Sequence, residues 1–195
     1  MAYDLAVRST AELRDEILAA ARAEFAQYGL AGARIDRIAR TAQASKERIY
    51  AHFGDKETLF REVLAADSAE FFRAISLRRG TVPDFVGDVY DMARDHPEHL
   101  RMITWARLEG FALDEPHADG EPVFADTIAA IEAAQVAGHV DGTWEPADLI
   151  ALLLGIGMAW ANSPHPDSLI DDPAVVARRR AAAVEAAARI VATHR

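Results

Sequence analysis

Apolar residues recur at helical spacing from one end of this chain to the other, in runs separated by short breaks rich in proline, glycine and aspartate. A chain punctuated this way has few ways to fold, because each run presents one apolar face that must be buried against another. Ser9-Thr10-Ala11-Glu12 has the spacing of a capping box; Leu13, Ile17, Ala21, Phe25 and Tyr28 follow on one face, and Gly29 is a natural stop. A short second helix sets Ile35, Ile38, Ala39 and Ala42 at i, i+3, i+4 and i+7. Gln43-Ala44 breaks it, Ser45 is placed to cap a third helix running to about Phe53, and Gly54 ends that one. Asp55 then caps a fourth, through Leu59, Val63, Phe71 and Ile75 to Gly80. Beyond Pro83, helices are expected at about 84–95, 97–113, 122–138, 146–162 and 172–193, and six of the eight prolines fall in breaks or just inside helix starts. No stretch sustains β alternation with hairpin signals. The expected fold is all-α.

Composition narrows what such a bundle can do. Hydrophobic residues make up 51% of 195, enough to bury a core without staples. There is no cysteine, which removes disulfides, thiolate nucleophiles and cysteine-ligated metals and suits a reducing compartment. Met1–Ser9 lacks the apolar stretch of a signal peptide, and the longest apolar run, 13 residues from Leu149 to Ala161, is too short to span a bilayer. A soluble, cytoplasmic protein with no membrane partner is expected. Glycine-rich phosphate loops, nucleophile elbows and paired metal-ligand sets are missing, so neither an enzyme nor a cofactor is expected. His96-Pro97-Glu98-His99, and His117 among Asp114, Glu115 and Asp119, read as solvated surface and not as metal sites.

The net charge of −10 is unevenly spread. Residues 1–62 carry ten basic and ten acidic side chains, whereas residues 63–195 carry eleven and twenty-one. Within residues 34–50, Arg34, Arg37, Arg40, Lys46 and Arg48 outnumber Asp36 and Glu47. Phosphate binding responds to local charge, so an acidic body with a mildly basic N-terminal face is compatible with DNA.

Residues 34–53, RIDRIARTAQASKERIYAHF, form a helix, a tight turn and a second short helix. In a helix-turn-helix the second helix enters the major groove, with small, polar and cationic groups on one face and apolar anchors behind. Ile35, Ile38 and Ile49 are suited to anchoring, and Ser45, Lys46, Arg48, Tyr50 and His52 to the polar face. Phe25, Phe53, Leu59 and Phe60 read as core, and Arg37 and Arg40 as a solvated face or distant phosphate partners.

From Arg14 to Val63 the order of residues resembles the N-terminal domain of the TetR (tetracycline-repressor-like) family of regulators. The resemblance is carried by Phe25-Ala26-Gln27-Tyr28-Gly29, Ile35-Asp36-Arg37-Ile38-Ala39, Ser45-Lys46, Ile49-Tyr50-Ala51-His52-Phe53 and Asp55-Lys56-Glu57-Thr58-Leu59-Phe60. It implies a one-component repressor, a homodimer on double-stranded operator DNA, released from a palindromic site by a small molecule. It implies that Tyr50 and His52 bond phosphates, that Lys56 binds a phosphate at the start of the fourth helix, and that Lys46 and Arg48 face bases. Arg34 stands where the family often has a capping, phosphate-touching threonine, and Gln43 replaces the usual turn glycine. Gln43 therefore either bears the strain of φ > 0 or marks an altered turn.

The resemblance divides the chain into a DNA-binding domain at 10–56 and an effector-binding and dimerisation domain at 57–195. The segment around Leu149, Leu153 and Gly157 is apolar on all sides and is expected at the subunit interface. Phe85, Met102, Trp105, Phe111 and Trp160, with Tyr90 and Leu108, are candidates to line a cavity for an apolar or aromatic effector. Arg178-Arg179-Arg180 is expected on a solvated face with an acidic partner. The alternative is a helical ligand-binding or adaptor protein that no longer reads DNA specifically.

Overall fold

The computed structural model describes residues 9–75, 77, 81–111, 117–118, 121–165, 167 and 170–193. Among these the chain forms nine helices: α1 (Thr10–Gly32), α2 (Ile35–Thr41), α3 (Lys46–Phe53), α4 (Lys56–Ala74), α5 (Val82–Asp95), α6 (Pro97–Leu108), α7 (Ala125–Val136), α8 (Pro146–Gly157) and α9 (Pro173–Val191). Two-residue strands, β1 (His117–Ala118) and β2 (Glu121–Pro122), pair antiparallel between α6 and α7.

Helix starts follow local chemistry. Ser9 and Glu12 complete the capping box, the Ser45 hydroxyl accepts from the Arg48 N–H, and Asp55 accepts from the Thr58 N–H. Helix ends depart from expectation. α1 does not stop at Gly29 but kinks there and continues to Gly32. α4 ends at Ala74, and Gly80, its expected end, lies outside the described residues. α6 ends at Leu108 because Gly110 (φ 74°) closes it: Phe111 N–H donates to Ala106 O at 2.8 Å and Gly110 N–H to Arg107 O at 3.2 Å. Gly138 ends α7 in the same way, and α8 stops at Gly157, short of the expected 162.

Compactness divides the chain into two units, one of residues 1–67 with 101–114 and the other of residues 68–100 with 115–195. α4 and α6 each contribute to both, so this partition differs from a border at residue 56. In the first unit α1 packs on α2 and α2 on α3. The core is filled by Ile17, Phe25, Ile38, Ile49, Leu59, Phe60 and Met102, all essentially inaccessible. Phe60 meets Phe25 at 5.0 Å and Phe111 at 5.1 Å between ring centroids, both edge to face.

In the second unit α5 is the central element, packed against α8 and α9. Close approach to α8 occurs at Gly157, where a Cβ would fall 2.5 Å from Val89 Cγ1. Arg180 of α9 lies against Gly87 and donates to Asp91 at 2.7 Å and Asp88 at 3.4 Å, supplying the expected acidic partners. Gln135 donates to the carbonyls of Asp141 and Trp144, and Trp144 Nε1 to Ile190 O, tying the α7–α8 connection to α9. Leu149 and Leu153, expected at a subunit interface, are completely buried within this unit, and Gly157 is buried beside Val89. The side of α8 left open carries Ala151, Leu152 and Gly155 instead.

Candidate nucleic-acid interface

The turn between α2 and α3 decides which face of α3 is exposed. Gln43 has φ 49° and is the only non-glycine with positive φ among the described residues. Ala44 N–H donates to Ala39 O at 2.9 Å and Gln43 N–H to Arg40 O at 3.3 Å, the bond pair of a helix end normally closed by glycine. The turn is therefore regular and the glutamine bears the strain. Gln43→Gly is expected to raise stability by about 1 kcal/mol, as relief of left-handed strain, read from thermal denaturation. No gain would mean that the side chain's own interactions offset it.

Ser45 then caps α3, and the helix turns Ile49 and Phe53 into the core. This fixes the other face: Ser45, Lys46, Glu47, Arg48 and Tyr50 are exposed, Tyr50 at 46%, and His52 is half-buried beside Phe53. The Glu47 carboxyl is held below its ordinary range by a backbone hydrogen bond and by the Ser45 hydroxyl, so it is ionised on the same face. Lys46 and Arg48 thus flank a fixed negative charge. An anion there repels phosphates and is suited to accept from a cytosine amino group.

The Arg34 side chain does not cap α2; its Nε donates to Asp36 at 3.2 Å, and it is largely exposed. Glu24 of α1, buried, accepts the Arg34 backbone N–H at 2.8 Å and Arg37 Nε at 2.7 Å. Arg37 also donates to Gly32 O and stacks over the Tyr28 ring at 4.2 Å. The hydrogen bond to Glu24 raises the Arg37 pKa. Arg37 is therefore a brace between α1 and α2 and not a solvated cation. Lys56, at the start of α4, donates to Ala33 O at 3.2 Å and Ala31 O at 3.5 Å.

The residues expected around an effector do not form one group. Met102 and Phe111 belong to the first unit's core with Phe60, and Trp105 packs over Gly29 in that unit. Phe85 and Trp160 belong to the second unit, where Trp160 meets Tyr90 edge to face at 5.6 Å. Leu108 is 73% exposed. Phe71, Phe72, His99 and Phe124 form a further ring cluster in the second unit, with His99 buried and stacked on Phe71 at 4.2 Å. His99 is thus core, not surface. No group of three or more metal-ligating side chains gathers among the described residues.

Comparison with known proteins agrees with this geometry. The family model for bacterial regulatory proteins of the tetR family matches residues 17–63, and that for the tetracyclin repressor-like C-terminal domain matches residues 81–189. The HTH-type transcriptional repressor SCO4008 of Streptomyces coelicolor is 34% identical over 158 residues, which cover 80% of this chain and 82% of that protein. The HTH-type transcriptional regulator RutR of Escherichia coli K12 is 28% identical over 167 residues, 81% of this chain and 75% of RutR. The crystal structure of SCO4942 from Streptomyces coelicolor superposes with a TM-score of 0.77 at 38% identity, covering 91% of this chain and 97% of that one.

Proposed function

The chain belongs to the TetR family and is a DNA-binding transcriptional regulator, and from that premise we propose that it is a cytoplasmic, homodimeric repressor released from a palindromic operator by a small molecule. The observation that carries the DNA-reading role is the exposed polar face of α3 above the buried Ile49 and Phe53. The repressor sign is supported by the name of the SCO4008 relative. Among the described residues no helix is long and apolar enough to cross a membrane.

We assign base reading to Lys46 and Arg48, with Gln43 and Ser45 setting the turn and cap that aim them. Phosphate contact falls to Arg34, Tyr50, His52 and Lys56. An ammonium has three N–H groups, so Lys56 keeps one for a phosphate while two carbonyls hold it in place. Operator binding is assigned to residues 10–56 with their packing partners, and effector binding and dimerisation to the remainder. The effector is an apolar or aromatic molecule seated near Tyr90 and Trp160. α4, which supplies residues to both units, is the element whose position the effector biases.

The test is binding to duplexes selected from a random pool by the wild-type protein. Lys56→Ala and Tyr50→Phe are expected to weaken all sequences by similar factors, because phosphates carry no base identity. Arg48→Ala is expected to relax preference at one position per half-site by about 1–3 kcal/mol. Unchanged base preference would remove Arg48 as a reader, and the lack of any salt-dependent binding would favour the adaptor reading. Addition of compounds to Trp105→Phe protein, whose remaining tryptophans Trp144 and Trp160 lie in the second unit, locates the effector. A compound that releases DNA without changing their emission binds elsewhere.

A further inference from the structure

We propose that Glu109, one residue past the end of α6 and outside the helix-turn-helix, is a positioning residue for DNA binding that acts through Lys56. The proposal rests on the reading of Lys56 as a phosphate contact. α1 leaves helical geometry at Gly29 (φ 66°, ψ −177°), and a single turn follows before α2. The first two N–H groups of that turn go to one carboxylate: Leu30 N–H donates to Glu109 Oε2 and Ala31 N–H to Glu109 Oε1, each at 3.1 Å. A carboxylate shared by successive amides at the start of a helical turn is a favourable anion position, strengthened by its charge. Trp105, one turn earlier in α6, closes over the same glycine. A Cβ on Gly29 would lie 2.8 Å from two ring carbons and 2.6 Å from Glu109 Oε1.

The opposite end of the turn is held by the opposite charge. Lys56 Nζ donates to Ala31 O, a carbonyl of the turn, and to Ala33 O, on the extended residue that caps it. Anion at the N–H end and cation at the C=O end both align with the turn's dipole. The place of the Lys56 ammonium is therefore set by carbonyls whose own place is set by Glu109. Without Glu109 the turn loosens, and Lys56 must be ordered at the moment DNA binds, which costs affinity.

The sign of the effect separates this role from bulk charge. Deleting an acidic side chain makes the protein less negative, which by itself strengthens DNA binding. Positioning predicts the reverse. Operator affinity is measured with the selected duplex across a salt series, at a temperature where circular dichroism shows every variant folded. Glu109→Ala is expected to bind about tenfold more weakly, the scale of one charge-assisted hydrogen bond. Lys56→Ala is expected to weaken binding and to reduce the salt slope by about one per subunit. In the Lys56→Ala background, Glu109→Ala is expected to cost nothing further. If Glu109→Ala is not folded, Glu109→Gln, which keeps one acceptor oxygen, is expected to show a smaller loss of the same sign. Equal or tighter binding by the Glu109 variants, or a loss that persists undiminished without Lys56, overturns the proposal. Wild-type affinity and salt slope in Lys56→Ala alone would instead remove the reading of Lys56 on which it stands.

Discussion

Alanine at Gly29 is expected to lower the unfolding free energy by about 3–5 kcal/mol, against about 1–2 kcal/mol for alanine at Gly54. The two glycines share a positive φ, 66° and 75°, and differ in their surroundings. A Cβ on Gly54 meets nothing within 4 Å, so its cost is conformational strain alone. At Gly29 the backbone (ψ −177°) lies in a region essentially reserved for glycine, and the added carbon would displace the Glu109 carboxylate and the Trp105 ring. Displacing Glu109 also gives up its two bonds to Leu30 and Ala31. A loss of that size is a large share of the stability of an ordinary domain. Gly32→Ala, where a Cβ meets only Tyr28 Cβ at 3.2 Å inside the helix, serves as a mild control. Urea unfolding followed by circular dichroism, at one protein concentration for all variants, measures the series. Equal costs at Gly29 and Gly54 would mean that Glu109 and Trp105 yield freely and grip nothing.

That grip was invisible in the sequence for a physical reason. Caps are local: Ser9 with Glu12, Ser45 with Arg48 and Asp55 with Thr58 lie three residues apart, and their side chains answer orphan N–H groups wherever a helix begins. Glu109 reaches Leu30 across 79 positions and Ala31 across 78. Nothing in the spacing of charges marks such a pair. Glu24 and Arg37 are closer, 13 apart, yet they lie on different helices, and periodicity within either one places Arg37 on a polar face without naming its partner. The clue that was available is the glycine in FAQYGLAG, since an interior break leaves N–H groups that some side chain must satisfy.

The exposed face of α3 was legible because burial on one side of a short helix dictates exposure on the other. Ile49 and Phe53 face inward, which leaves Lys46, Arg48 and Tyr50 outward whatever they touch. The placement of the effector candidates does not follow from the same logic. Met102, Trp105 and Phe111 share one stretch of chain, but α6 passes from one compact unit into the other, and these three pack with the first while Phe85 and Trp160 pack with the second. Side-chain size and spacing carry no information about which core a helix end joins.

α8 poses the remaining ambiguity, since a helix apolar on every side does not say which side meets its own subunit. The fold assigns Leu149, Leu153 and Gly157 inward, toward the second unit's core. Leu153→Arg is therefore expected to unfold that unit, at a cost of at least about 4 kcal/mol for a buried charge and a lost leucine, and not merely to split a dimer. Leu152, 45% exposed on the side with Ala151 and Gly155, is the residue that separates folding from association. Leu152→Arg places its charge in water in the free chain, so the melting transition of the monomer is expected to move little. In a dimer joined through this face the same guanidinium would be buried without a partner. Light scattering is then expected to fall from about twice the 21.3 kDa chain mass to a single copy at micromolar concentration. A Leu152→Arg protein that keeps the doubled mass places the subunit contact on another surface. Loss of the helical signal in that variant would mean instead that Leu152 supports the fold itself.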